Sequence, residues 1–209
     1  MRRFFVFYRT MTPRKKNLAV FCSGGGSNFK ALHQQIRTRN LPCQIVMCLS
    51  NNSQCGAMNF ARENGIDAVH LSSKSVPDET AFVQTMLSEL EKRQVDLILL
   101  AGYMKRVPKE VVQHYPNRIL NIHPALLPKF GGEGMYGMNV HRAVIEAKET
   151  ESGATVHFVT ENYDEGEIII QAKVPIAPDE TPESLASKVL EVEHQIYSEA
   201  LVKVLEKMD

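Results

Sequence analysis

A positive charge surplus, the usual means of attracting nucleic acid, is missing: 24 Lys and Arg residues balance 24 Asp and Glu. No bulk field recruits a polyanion, and a nucleic-acid partner is not expected. Also missing is an apolar run long enough to span a bilayer, so no membrane partner is expected. The four cysteines, Cys22, Cys43, Cys48 and Cys55, lack the close Cys-x-x-Cys spacing of zinc modules. They read as reduced thiols of a cytoplasmic protein, and no metal is expected. Repeats and interdomain linkers are absent too, which leaves 209 residues for one substantial core.

The segment Met1-Arg-Arg-Phe-Phe-Val-Phe-Tyr8 is basic and then apolar, but Arg9 breaks it before a secretory signal could form. Residues 1–16 are expected to be a disordered extension, and 17–209 a single domain. Met11 is the expected natural start, which an intact mass would test.

What is present begins with Asn17-Leu-Ala-Val-Phe-Cys22, an apolar strand, followed by Ser23-Gly-Gly-Gly-Ser-Asn28 and a helix-period segment. Strand, glycine loop and helix form an anion-binding arrangement, because backbone N–H groups approach a phosphate closely where no side chain intervenes. A side chain at Gly26 is expected to obstruct that anion. The loop lacks the Gly-Lys-Ser/Thr ending of a nucleotide P-loop, and Phe29 stands at the third-glycine position of a dinucleotide fingerprint. ATP and NAD are thus disfavoured; a plain tight turn would satisfy the same residues.

Further strands are read at 43–49, 68–71 and 96–102, each followed by a helix-period segment, with Asp78 as N-cap of the third helix. The alternation predicts an α/β fold: a doubly wound, mostly parallel sheet with helices on both faces. Two strands at 153–159 and 167–174, joined by a short loop, predict a C-terminal antiparallel hairpin. Thr181-Pro-Glu-Ser opens the last helix.

Between these lies Arg118-Ile-Leu-Asn-Ile-His-Pro124, a buried strand that Pro124 turns out of the sheet. Asn121 and His123, two apart, share a face at its carboxyl end, where open α/β sheets bind ligands. An amide donor beside an imidazole suits acyl transfer. A structural His with a turn Asn is the alternative. The Gly-rich stretch 129–138 reads as a lid or an inert insertion.

Several spaced motifs, Ser23-Gly-Gly-Gly-Ser-Asn28, Leu100-Ala-Gly-Tyr-Met104, Leu120-Asn-Ile-His-Pro124, Val156-His-Phe-Val159 and Asp164-Glu-Gly166, together resemble the phosphoribosylglycinamide formyltransferases. The resemblance runs from about Asn17 into the last helix. It implies a formyltransferase fold, 10-formyltetrahydrofolate as co-substrate, no metal, and small-molecule partners in a monomer or homodimer. It makes Asn121, His123 and Asp164 the catalytic group: Asn121 and a protonated His123 are expected to stabilise the oxyanion of a tetrahedral intermediate, His123 also to shuttle a proton, and Asp164 to assist proton transfer and to raise the His123 pKa. It puts the substrate phosphate on Gly26, Ser27 and Asn28 with Arg118 nearby, and Glu193 at the ribose hydroxyls. The folate slot would be formed by Met104, Lys105, Arg106 and Val107, facing Thr160, Glu161, Asn162, Tyr163 and Asp164. This chain departs from many relatives in its longer connection over 130–139, and in offering only Lys74 within 72–80 for the folate glutamate tail. Related formyltransferases acting on charged tRNA, a folate deformylase, and a non-catalytic phosphate-binding module are the competing readings; length and charge balance disfavour the first two.

Overall fold

The structure, a computed structural model, describes residues 14–208. Its centre is a seven-stranded sheet: β1 (Lys16–Cys22), β2 (Cys43–Ser50), β3 (Asp67–His70), β4 (Leu97–Leu100), β5 (Ile119–His123), β6 (Glu151–Phe158) and β7 (Ile168–Pro175). The spatial order is β3-β2-β1-β4-β5-β6-β7. The first five strands pair in parallel, while β6 runs antiparallel to β5 and β7 antiparallel to β6. The expected α/β class and C-terminal hairpin are both present.

Period-two alternation divides the core. On β1, Leu18, Val20 and Cys22 enter one hydrophobic cluster, and Ala19 and Phe21 enter the other. On β4, Leu97 and Leu99 join the first, Ile98 and Leu100 the second. Strands buried on both faces need apolar residues at every position, hence the unbroken runs in the sequence. Helices α1 (Ser27–Thr38), α2 (Gly56–Glu63), α5 (Met138–Glu146) and α6 (Pro182–Lys207) contribute to the first cluster. Helices α3 (Glu79–Lys92) and α4 (Lys109–His114) contribute to the second.

Caps set several of these boundaries. Asp78 accepts from the Ala81 N–H at 2.7 Å, as its position before an apolar-periodic run implies. Thr181 and Ser184 form a reciprocal capping box, with Pro182 in the first turn of α6. Within the expected extension 1–16, Lys16 belongs to β1 and Arg14 pairs with Asp96 at 2.8 Å. The remainder of that extension, residues 1–13, and with it the expected start at Met11, lies outside the described residues.

Candidate active site

Strand order reverses between β1 and β4, and the cleft opens beside their carboxyl ends. Its volume is 670 Å³, inside the range of roughly 300–1,000 Å³ of small-molecule sites. Ser23 ties the loops around it. Its N–H donates to the Gly102 carbonyl (2.9 Å), its hydroxyl donates to Asn51 Oδ1 (2.6 Å), and the same hydroxyl oxygen accepts from the Met104 N–H (2.8 Å). One small side chain thus joins the segments leaving β1, β2 and β4.

At one end of the cleft α1 begins without a side-chain cap and without an acidic residue in its first turn. Its leading N–H groups are therefore available to an anion. Ser27 and Asn28 line the cleft here, and Gly26 immediately precedes them in a left-handed conformation (φ 72°). A second constraint acts on Gly26 beside its expected place under the anion. A Cβ at that position would meet the Ala57 Cβ at 2.8 Å. Backbone conformation and the approach of α2 both favour glycine here. Gly26→Val is expected to cost about 3 kcal/mol of stability, read as a lower denaturant midpoint; an unchanged midpoint with lost acceptor binding would leave the anion as the sole reason for the glycine.

Asn121, His123 and Asp164 converge at the other end. Asn121 lies opposite His157 in the antiparallel register of β5 and β6, with its Nδ2 3.1 Å from His157 Nε2 and 3.5 Å from Asp164 Oδ1. The His157 Nδ1 faces the Phe158 carbonyl at 2.9 Å, which can only accept. With the proton on Nδ1, Nε2 is left to accept from Asn121, fixing that amide. His123 Nε2 likewise donates to the Phe130 carbonyl at 2.8 Å, and its Nδ1 faces Asp164 Oδ2 at 3.6 Å. Asp164 Oδ2 also accepts from the Gly132 N–H at 2.9 Å, and Oδ1 lies 3.4 Å from His157 Nε2. Asp164 sits at φ 55°, a conformation Asp tolerates better than most residues. Its hairpin depends on Gly166, where a Cβ would fall 1.7 Å from the Phe158 carbonyl oxygen.

The electrostatics correct an expectation. Burial pushes the His123 pKa down and outweighs Asp164 and the Phe130 carbonyl, which act upward; His157 adds to the lowering. Asp164 does attract the proton as expected, but His123 is only 3 % exposed and desolvation wins. The imidazole is neutral in the free cleft at neutral pH. Burial acts to raise the Asp164 carboxyl, yet the His157 contact, the His123 ring and the Gly132 N–H together hold it below its usual range.

Met104, Lys105, Arg106 and Val107 form one wall, and Thr160, Glu161, Asn162 and Tyr163 lie across from them, with Asp164 at the base. Arg106 joins the two segments. Its guanidinium donates to the Glu161 carbonyl at 2.5 Å and lies 5.4 Å from the Tyr163 ring centroid. Glu193 lines the cleft beside Asn28. Arg118 does not reach it. It precedes β5, at the strand end opposite His123, where it donates to the His114 carbonyl (2.8 Å) and stacks 4.8 Å from the Tyr115 ring centroid. The expectation that Arg118 approaches a substrate phosphate is therefore corrected: the strand's direction carries it away.

Sequence reasoning assigned no role to His157, to His141 on the cleft wall, or to the loop atoms of Phe130 and Gly132 that hold His123 and Asp164. The motif Val156-His-Phe-Val159 was the available signal for His157, since alternation puts its ring and the side chain of an opposed β5 residue on one face.

The formyl transferase family model matches residues 16–201. The chain is 45 % identical over 196 residues to the chloroplastic phosphoribosylglycinamide formyltransferase of Arabidopsis thaliana, covering 93 % of this chain and 67 % of that protein. It spans about two thirds of the length of such plant relatives, with 63 % and 65 % covered in those of Vigna unguiculata and Glycine max. To the phosphoribosylglycinamide formyltransferase of Haemophilus influenzae it is 36 % identical over 182 residues, covering 87 % of this chain and 84 % of that one. Among solved structures, glycinamide ribonucleotide transformylase 1 from Geobacillus kaustophilus superposes with a TM-score of 0.85 at 36 % identity, covering 91 % and 99 % of the two chains.

Proposed function

Because the chain belongs to the formyl transferase family, we propose that it moves the formyl group of 10-formyltetrahydrofolate onto the amine of phosphoribosylglycinamide, a step of purine biosynthesis. The observation that carries this reading is that one cleft joins an uncapped helix end, suited to a phosphate, to the Asn121, His123 and Asp164 cluster, suited to an acyl carbon. Relatives bearing that enzyme's name support the substrate assignment. Residues 17–209 act in this reading as one formyltransferase domain with small-molecule partners only, as a monomer or homodimer. The four buried free cysteines suit a reducing compartment such as the cytoplasm.

The amine nitrogen attacks the formyl carbon, and the carbonyl electrons move onto oxygen. The Asn121 amide, oriented by His157, donates to that oxyanion. His123 Nδ1 takes the proton shed by the attacking amine, for which a neutral imidazole is the correct starting form. The resulting imidazolium lies between the Phe130 carbonyl and the Asp164 carboxylate, two fixed acceptors. That proton then passes, directly or through water beside Asp164, to the departing folate nitrogen as its bond to carbon breaks. Folate occupies the slot between 104–107 and 160–164.

The test compares phosphoribosylglycinamide with its phosphate-free riboside. Each lost charge-assisted N–H bond is worth roughly 1.5–3 kcal/mol, so the riboside's kcat/KM is expected to fall by at least tenfold. Equal kcat/KM values would remove the phosphate from the account. No step uses a metal, and EDTA followed by desalting is expected to leave turnover unchanged; abolished turnover would refute the metal-free mechanism.

A further inference from the structure

The loop joining β6 to β7 is exposed throughout 160–163 and turns inward only at Asp164. Its flanks are secured: the Val159 N–H donates to the Ile119 carbonyl at 2.8 Å, and the Phe158 N–H to the Glu167 carbonyl at 2.9 Å. Between them, the bonds from the Thr160 hydroxyl to the Asn162 carbonyl and from the Asn162 amide to Glu165 tie the loop only to itself. Its one large apolar side chain, Tyr163, is exposed. A segment with so little buried surface opens readily unless it is held from outside. Asp164, in a left-handed conformation (φ 55°), depends on that hold, because its carboxylate has to face His123, His157 and the Gly132 N–H together.

Among the described residues, two side chains from outside the catalytic cluster hydrogen-bond to this loop, and both meet Glu161. The Arg106 guanidinium donates to the Glu161 carbonyl at 2.5 Å and lies 5.4 Å from the Tyr163 ring centroid. The Gln113 amide donates to the Glu161 carboxylate at 2.8 Å. Both come from fixed positions: Arg106 immediately precedes the buried Val107, and Gln113 lies on α4, which Val111 and Val112 seat in the second hydrophobic cluster. Position is therefore passed from the core to the loop. A guanidinium suits this place, because its planar fork donates to a carbonyl while the cation attracts a ring; an ammonium does the two together less well. Gln113 stands outside the cleft lining, so what it contributes to the reaction passes through Glu161.

We propose that Arg106, seconded by Gln113, is a positioning residue: it latches the 160–163 loop to the opposite wall of the folate slot, and so holds the Asp164 carboxylate on His123, His157 and Gly132 before any substrate arrives. The kinetic consequence rests on the reaction proposed above. With the latch open, the imidazolium formed during transfer loses its nearby carboxylate, and the slot loses the set of one wall. The first loss falls on kcat and the second on KM for the folate. KM for phosphoribosylglycinamide, whose phosphate lies at the other end of the cleft, should change little.

Arg106→Met, Arg106→Lys and Gln113→Leu test the latch. In isotope-labelled free protein, the Gly132 amide proton is deshielded by its bond to Asp164 Oδ2. It should move upfield in Arg106→Met, in the direction taken by Asp164→Ala, while the denaturant midpoint barely changes because the bonds removed are exposed. An unmoved Gly132 resonance would overturn the latch whether or not any substrate turns over. In turnover, Arg106→Met should lose about tenfold in kcat, within the roughly 10²-fold that a small misplacement of reacting groups can cost, and should raise KM for 10-formyltetrahydrofolate. Arg106→Lys should fall between it and wild type, and Gln113→Leu should show the same pattern more weakly. Direct contact between Arg106 and folate would raise that KM alone and leave Gln113→Leu at the wild-type kcat; this result would overturn the proposal. Absence of formyl transfer by the wild type would instead sink the reaction reading, leaving the Gly132 resonance to decide the latch.

Discussion

His123→Ala is expected to lower kcat by about 10²–10⁴-fold, the range for a positioned general acid–base group, while KM for both substrates changes little. The imidazole has two engaged edges, Nε2 on the Phe130 carbonyl and Nδ1 toward Asp164, so the proton it accepts in the reaction is held by atoms already in place. Neither contact involves the ground-state substrate, which is why binding should survive. Asp164→Ala should behave similarly, because the imidazolium would lose its counter-charge. It should also loosen the Gly-rich loop, whose Gly132 N–H would lose its acceptor. Near-normal single-turnover rates in either variant would refute the assignment. The pH dependence follows from the direction of the His123 shift. Since burial lowers its pKa in the free protein, the neutral base persists below the usual imidazole range, and kcat/KM should stay level there before falling in more acidic solution.

The second large effect is expected at Asn121. Removing one oxyanion donor costs about 2.7–4 kcal/mol, or roughly 10²–10³-fold in kcat. The Asn121 amide is held at 3.1 Å from His157 Nε2, so its orientation is fixed before substrate arrives. Asn121→Ala should therefore lose kcat, with substrate affinity retained. Asn121→Asp should be at least as damaging, since a carboxylate offers no donor and would stand beside Asp164. A loss confined to KM in Asn121→Ala would mean that this amide binds substrate without stabilising the oxyanion.

The central strands were legible because they are buried on both faces, so that runs such as Leu97–Leu100 carry their own signal, and α3 and α6 because Asp78 and Thr181 cap them. Asn121 and His123 were legible for a related reason: spacing of two on a strand fixes a shared face. His157 was not, because its partnership with Asn121 depends on the register between β5 and β6, separated by a loop and a helix. Arg118 illustrates the reverse error. Nearness in sequence to Asn121 suggested nearness to the ligand, whereas a strand carries its two ends apart. The direction of the His123 shift was misjudged because a neighbouring charge can be guessed from sequence but depth of burial cannot. For Gly26 the sequence pointed to an anion, and the further constraint from Ala57 became visible only in the packing of α2 against the loop. The loop over 130–137 offered no periodic pattern, yet two of its main-chain groups hold His123 and Asp164.

The most direct measurement is a formyl-transfer assay in which purified protein and 10-formyltetrahydrofolate are offered phosphoribosylglycinamide, charged tRNA or water alone. The expected result is rapid formylation of phosphoribosylglycinamide, with negligible transfer to tRNA and negligible hydrolysis, and loss of that transfer in His123→Ala. Formylation of tRNA, hydrolysis as the main reaction, or transfer undiminished in His123→Ala would contradict the account.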